Sequence, residues 1–169
     1  LAALRGHESN VRSVEFSQDG KQLYSRSNTE LVKWDLSDEG TASVVSTGNR
    51  HLHDLQASPD GRRLAICTQT TADIRALSDD SNDVKFNQGT PLNSGAFSED
   101  GALFVSSGPR HLRLWKDAES KPRVIADIPH RARSIAISPD KQWVVAGGGF
   151  EYNENKDAYL VFVDLKSHK

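Results

Sequence analysis

The tetrapeptide Ser17-Gln18-Asp19-Gly20 returns as Ser58-Pro59-Asp60-Gly61, Ser98-Glu99-Asp100-Gly101 and Ser138-Pro139-Asp140-Lys141. The leading serines fall 41, 40 and 40 residues apart. A fixed period of that size marks a repeat architecture, in which each unit buries its apolar faces only against its neighbours. Asp-Gly, or Asp-Lys in the fourth copy, is the chemistry of a tight reversal, because these residues tolerate left-handed backbone. An alternating apolar run precedes each reversal, at residues 11–16, 52–57, 92–97 and 132–137. A second run follows it, at 22–25, 64–68, 103–106 and 143–146. Third strands are predicted at 31–36, 74–77, 112–115 and 159–165, and weaker fourth strands at 43–46, 84–86 and 123–126. No segment sustains a helical stripe. Each unit therefore reads as a four-stranded antiparallel meander.

Four strands per ~40–45 residues is the period of a propeller blade. The first repeat also reads Gly6-His7, then the Ser17 reversal, then Trp34-Asp35. These residues resemble the WD-repeat (WD40-type) β-propeller family, and the resemblance spans essentially the whole chain. It implies an all-β fold of four-stranded antiparallel blades, with repeats at about 5–46, 47–87, 88–127 and 128–169. Residues 1–4 are expected to be the outer strand of a preceding or closing blade. Nothing after Leu165 is long enough for an outer strand in the fourth repeat. Family rings usually hold about seven blades, so four repeats are expected to form part of a larger ring. The first residue is Leu rather than Met, which fits an excerpt or a processed chain.

The resemblance further implies a buried hydrogen-bond network of a loop His, a Ser or Thr, a turn Asp and a Trp. Carried over, these are His7, Ser25 or Ser27, Asn28 in place of the Asp, and Trp34. The third repeat keeps Trp115 but has Lys116 after it, Pro109 at the turn and Gln88 at the His position. The second has Arg75-Ala76 at the Trp-Asp positions. The fourth has Val163-Asp164 and an insertion at 150–157. Only the first repeat is expected to hold the full network.

A chain of 169 residues is long enough for one real core. Its formal charge of −2 argues against a general nucleic-acid binder. One cysteine excludes an internal disulfide framework and a multi-cysteine zinc site. The longest purely apolar run, 158–163, is far shorter than the ~20 residues of a membrane helix, so no membrane contact is expected. No charged-then-apolar leader is visible at the N-terminus. The cytoplasm is the expected compartment; one buried cysteine suits the periplasm equally.

His51-Leu52-His53-Asp54 places two histidines at i, i+2, a spacing able to ligate a metal. Nothing identifies a third ligand, so histidines at a blade edge are the favoured reading and a metal-dependent hydrolase is remote. Gly147-Gly148-Gly149 lacks the Lys-Ser/Thr of a phosphate-binding loop and reads as a strand end. Cys67, in an apolar strand without an activating base, reads as an inert buried thiol. No nucleophile elbow or zinc-protease helix is present. Neither an enzyme, nor a cofactor, nor a metal is expected.

Surface charge carries the remaining signal. Sorted by the family's loop arrangement, one face gathers Arg50, His51, His53, Arg110, His111, His130, Arg131 and Arg133, offset by Glu8, Glu30, Asp54 and Asp73. The opposite face gathers Asp38, Glu39, Asp79, Asp80, Asp83, Asp117 and Glu119, offset by Lys116 and Lys121. The basic face is expected to dock an acidic or phosphorylated protein segment through Arg50, His51, Arg110, His111, His130 and Arg131. Phe150 and Tyr152, two aromatics in the polar inserted hairpin, suit a binding hot spot. The expected function is a non-catalytic protein-interaction scaffold. The alternative is the sensor portion of a larger bacterial signalling enzyme, a kinase or nucleotide-hydrolysing switch, whose activity lies elsewhere. Terminal blades with open apolar faces are also expected to favour self-association.

Overall fold

The computed structural model describes residues 3–17, 19–37, 41–47, 52–69, 71–76, 84–87, 92–116, 122–149 and 158–167. Among them every regular element is a strand. The first sheet holds β1 (Ser13–Phe16), β2 (Gln22–Arg26), β3 (Glu30–Asp35) and β4 (Thr41–Thr47). The second holds β5 (Leu52–Ala57), β6 (Arg63–Thr68), β7 (Thr71–Ala76) and β8 (Val84–Asn87). The third holds β9 (Ser94–Phe97), β10 (Leu103–Ser107), β11 (His111–Lys116) and β12 (Arg123–Asp127). In the fourth, β13 (Ala132–Ile137), β14 (Trp143–Gly148) and β15 (Tyr159–Asp164) form three strands. All pair antiparallel in chain order, so each sheet is the meander that the period implies.

The recurring tetrapeptide closes each β1–β2-type hairpin with its own hydrogen bonds. Ser17 Oγ donates to Asp19 Oδ1 at 2.6 Å and accepts the Gln22 amide at 2.9 Å, while Asp19 Oδ1 accepts the Lys21 amide at 3.0 Å. Ser58, Ser98 and Ser138 make the same pair of bonds. Gly20, Gly61 and Gly101 sit at φ +68°, +65° and +70°, and Lys141 takes the fourth position at φ 56°. The side-chain bond from the serine and the amide bond hold the Asp19 and Asp140 carboxyls below the usual range. For Asp100 the Lys141 ammonium, 2.5 Å away in the next sheet's turn, is the larger cause.

The core lies in three seams between successive sheets. Tyr24 and Leu31 of the first sheet meet Leu52, Leu55, Leu64 and Ile66 of the second. Ala65, Cys67 and Ile74 meet Leu92, Phe104 and Trp115 of the third. Val105, Leu112, Leu114 and Ile125 meet Ala132, Val144, Ala146 and Val163 of the fourth. Each large apolar side chain buried this way stabilises by about 1.5–3 kcal/mol over leaving it in water. The first strands β1, β5, β9 and β13 touch in succession, so they form one common edge of the row. That is blade-on-blade stacking, and the fold is all-β with propeller-type sheets.

Polar bonds stitch the same seams. The Arg26 guanidinium donates to the Leu52 and His53 carbonyls at 2.9 and 2.7 Å. Asp54 Oδ2 accepts the Gly95 amide at 3.0 Å from the next sheet. At Gly95 the approach is closest, since a Cβ there would stand 2.3 Å from Phe104 Cζ. In the last seam the Ala132 amide donates to Ser107 Oγ at 2.9 Å.

Residues 3–12 form no strand. This segment runs along the first sheet, where Gly6 lies against the Trp34 ring and His7 reaches Ser25.

Candidate functional site

Two polar constellations stand out, one buried and one on the loop surface. In the first sheet the buried Trp34 indole donates to Ser25 Oγ at 2.6 Å. His7 Nε2 lies 2.6 Å from the same oxygen, and His7 Nδ1 lies 3.2 Å from Glu30 Oε2. Glu30 Oε2 also accepts the Glu8 amide at 3.1 Å and the Ser27 hydroxyl at 3.4 Å. The His7 hydrogen bond is the main cause holding the Glu30 carboxyl below its ordinary value. The chain Trp34–Ser25–His7–Glu30 thus ties the N-terminal segment to β2 and β3.

The acid in this chain is Glu30, and Asn28 stands outside it. Asn28 lies at the hairpin apex, where its Oδ1 accepts from Arg12 Nε at 3.3 Å. Glu30 opens β3, and its longer side chain reaches back to the imidazole. A carboxylate at the first residue of the third strand was the signal available in the sequence. Ser27 contributes through Oγ, which accepts the Thr29 and Glu30 amides at 3.3 and 3.1 Å.

Trp115 repeats part of the arrangement, donating to Ser106 Oγ at 3.0 Å. Gln88, at the histidine position, lies outside the described residues. Strand register places Ile66 with Arg75, and Ala146 with Val163, at the Ser and Trp positions of the second and fourth sheets.

The surface constellation is assembled by the loops at 108–110 and 128–131. The Ile128 amide donates to the Arg110 carbonyl at 2.8 Å, which ties the 108–110 loop to the segment that leads into His130 and Arg131. Arg110, Arg131 and Arg133 are exposed. None of the three makes an ion pair with another described residue. Tyr159 donates its hydroxyl to the His130 carbonyl and fixes that loop to β15. Arg133 stands where the β13–β14 register slips between Ala132 and Ser134, and His53 holds the same place in β5. Such bulges re-aim a side chain at the end of a strand. Exposed Arg12 occupies the equivalent place ahead of β1.

His111 Nδ1 lies 2.7 Å from Asp127 Oδ1 on this face. Asp127 was not among the sequence-predicted residues; its position directly opposite His111 across β11–β12 is what pairs them. Three acids expected to offset the basic face do not stand free there. Glu30 is engaged by His7, Asp73 is half-buried within β7, and Asp54 is half-buried in the seam, where it accepts the Gly95 amide. Burial pushes the Asp54 carboxyl above its ordinary value, and burial followed by the Asp54 charge does the same for Glu15. Arg50, His51, Phe150 and Tyr152 lie outside the described residues. So do Asp38, Glu39, Asp79, Asp80, Asp83, Asp117, Glu119 and Lys121 of the opposite face.

Cys67 is fully buried, and desolvation pushes its thiol far above the ordinary range. Among the described residues no cluster of three His, Cys, Asp or Glu side chains converges on a metal-sized point. No helix there is long and apolar enough to cross a membrane.

Comparison with known proteins agrees with this geometry. Residues 1–35 match the family described as WD domain, G-beta repeat. Over 149 residues the chain is 27% identical to an uncharacterized WD repeat-containing protein of Synechocystis sp. (strain ATCC 27184 / PCC 6803 / Kazusa). That alignment covers 85% of this chain and 43% of the relative, so the chain spans less than half the relative's length. The 40-residue period, the Trp34–Ser25–His7 bonds and the four stacked meanders agree with this similarity to WD-repeat proteins.

Proposed function

We propose that the chain is a non-catalytic interaction scaffold whose basic loop face docks acidic or phosphorylated protein segments. WD repeats generally serve protein interaction, and the loop face gives that role a chemistry. The observation that supports the reading is the Ile128–Arg110 backbone bond, which ties the loop of Arg110 to the segment that leads into His130 and Arg131. Guanidinium groups bind carboxylate and phosphate oxygens in bidentate fashion, with shorter and stronger bonds than neutral donors. Opposite charge at such a face raises encounter rate and selects partners. Arg50, His51, Phe150 and Tyr152, which lie outside the described residues, are the further candidates that the sequence offers for this reading.

Binding to arrays of acidic, phosphorylated and neutral peptides tests the proposal. Acidic or phosphorylated peptides are expected to bind best, with affinity falling as salt rises, and Arg110→Ala with Arg131→Ala is expected to abolish the preference. Equal binding to neutral peptides, or an unchanged preference in the double variant, overturns it.

A further inference from the structure

The segment 128–132 is pinned along its backbone by residues of two sheets. The Ile128 side chain is buried in the last seam, and its amide donates to the Arg110 carbonyl at 2.8 Å. Pro129 follows, with φ fixed by its own ring. The His130 carbonyl accepts the Tyr159 hydroxyl. The Arg131 carbonyl lies against Gly148, where a Cβ would stand 2.6 Å from that oxygen and 2.9 Å from the Tyr159 hydroxyl. Any larger residue at 148 would push both away, which gives the middle glycine of Gly147-Gly148-Gly149 its structural reason. Ala132 closes the segment. Its amide donates to Ser107 Oγ at 2.9 Å and its carbonyl accepts from Ser94 Oγ at 3.3 Å, all three residues being buried. The Arg131 side chain, by contrast, is exposed.

The place of Tyr159 in its sheet has a precedent in the first. Tyr159 opens β15, opposite Gly148. Glu30 opens β3, and it too reaches the segment ahead of its sheet's first strand, accepting the Glu8 amide at 3.1 Å and lying 3.2 Å from His7 Nδ1. The first residue of the third strand thus anchors the incoming chain twice, once as acceptor and once as donor. We infer that Tyr159 and Gly148 are positioning residues of the docking face. They hold the backbone of His130 and Arg131 in one conformation, so that the Arg131 guanidinium meets an acidic or phosphorylated segment already placed. The inference rests on the docking reading given above. A loop ordered before binding need not be ordered by the partner, so its ordering does not subtract from affinity. Such preorganisation prolongs the complex more than it speeds encounter, which charge governs.

Tyr159→Phe in the 169-residue chain keeps the ring and removes only the hydroxyl, and it provides the test. Hydrogen exchange at the His130 and Arg131 amides is expected to quicken by about 2- to 10-fold, the equivalent of one net hydrogen bond. The β10–β11 and β13–β14 ladders are expected to keep their protection. An acidic peptide that the parent chain prefers is expected to dissociate faster by a similar factor. Its association rate, and the salt dependence of that rate, are expected to stay unchanged because no charge is lost. Arg131→Ala is the contrast, expected to slow association and weaken its salt dependence. Gly148→Ala is expected to repeat the Tyr159→Phe result, since crowding the Arg131 carbonyl displaces the same loop. Unchanged exchange in Tyr159→Phe overturns the inference. Lost protection throughout the fourth sheet does so too, because Tyr159 would then serve stability alone. Faster loop exchange beside unchanged dissociation, in a chain that prefers acidic peptides, overturns the positioning role and leaves the docking reading standing. A parent chain with no preference for acidic or phosphorylated peptides overturns the docking reading itself, and the positioning role with it.

Discussion

The indole of Trp34 donates to the hydroxyl of Ser25 at 2.6 Å across the β2–β3 hairpin, nine residues back along the chain. Trp115 and Ser106 repeat that relationship in the third sheet at 3.0 Å. Where the tryptophan is absent the serine is absent too: Ile66 stands with Arg75, and Ala146 with Val163. Replacing donor and acceptor together leaves no orphaned polar atom, which is why a blade can lose the whole motif at small cost. Sheets two and four still stack because their faces stay apolar.

Ser25→Ala is therefore expected to be costlier than the fourth sheet's natural Ala146 suggests. It leaves the Trp34 N–H, in a side chain only 3% exposed, without its acceptor. The expected loss is about 1–3 kcal/mol of unfolding free energy in urea titrations. Adding Trp34→Phe is expected to cost less than the sum of the two single changes, because the second change removes the orphaned donor. Strict additivity would show that the bond carries no coupling.

Gly95→Ala is expected to destabilise by about 1–3 kcal/mol through overpacking. The new methyl would stand 2.3 Å from Cζ of Phe104, a ring buried in the second seam. In a Phe104→Leu background the same substitution is expected to cost markedly less. Thermal or urea denaturation of the four chains in this cycle measures the difference, and equal costs in both backgrounds would place the strain elsewhere.

The legible part of this protein was whatever repeats. Ser-x-Asp-Gly fixes a turn locally, through a hydroxyl and a carboxylate that satisfy backbone amides within five residues. Strand positions followed from it to within a few residues at their ends. What depended on reach across the fold was hidden. Asn28 and Glu30 are two residues apart, and only the path of the 3–12 segment decides which meets His7. Asp54 looks like a loop acid in sequence, and only the Gly95 amide of another sheet shows that it is a seam residue. Asp127 meets His111 by cross-strand register, which a bulge between Leu112 and Arg113 shifts by one residue.

Among the described residues, Lys141 alone adopts positive φ with a side chain. Left-handed backbone costs such a residue about 1–2 kcal/mol, while glycine raises the unfolded chain's entropy by a similar amount. Lys141→Gly is accordingly expected to change stability by no more than about 1 kcal/mol. The clear readout lies elsewhere. Lys141 is the largest cause of the low Asp100 pKa, so the Asp100 carboxyl, followed by NMR titration, is expected to move up toward the ordinary range. An unchanged Asp100 would assign its low value to Ser98 and the Ala102 amide alone.

Asp54 gives the fold a pH dependence of opposite sign to that of the turn carboxylates. Its pKa is raised in the folded chain, chiefly by burial. Between the unfolded value near 4 and the raised folded value, the folded state therefore binds more protons, and stability falls as pH rises through that window. Asp19, Asp35, Asp100 and Asp140 have lowered values, so their contribution is present above the unfolded pKa and lost as pH falls through the folded one. Asp54→Asn removes the first effect and leaves the second. Relative to the parent chain, the variant is expected to gain in Tm from pH 4 to pH 7, whatever fixed cost the lost backbone acceptor imposes at both. Glu15 supplies an internal check, since the Asp54 charge is the second cause of its raised pKa. In the variant Glu15 is expected to titrate lower than in the parent. A Tm difference independent of pH, together with an unmoved Glu15, would show that Asp54 is not the acid that penalises the seam.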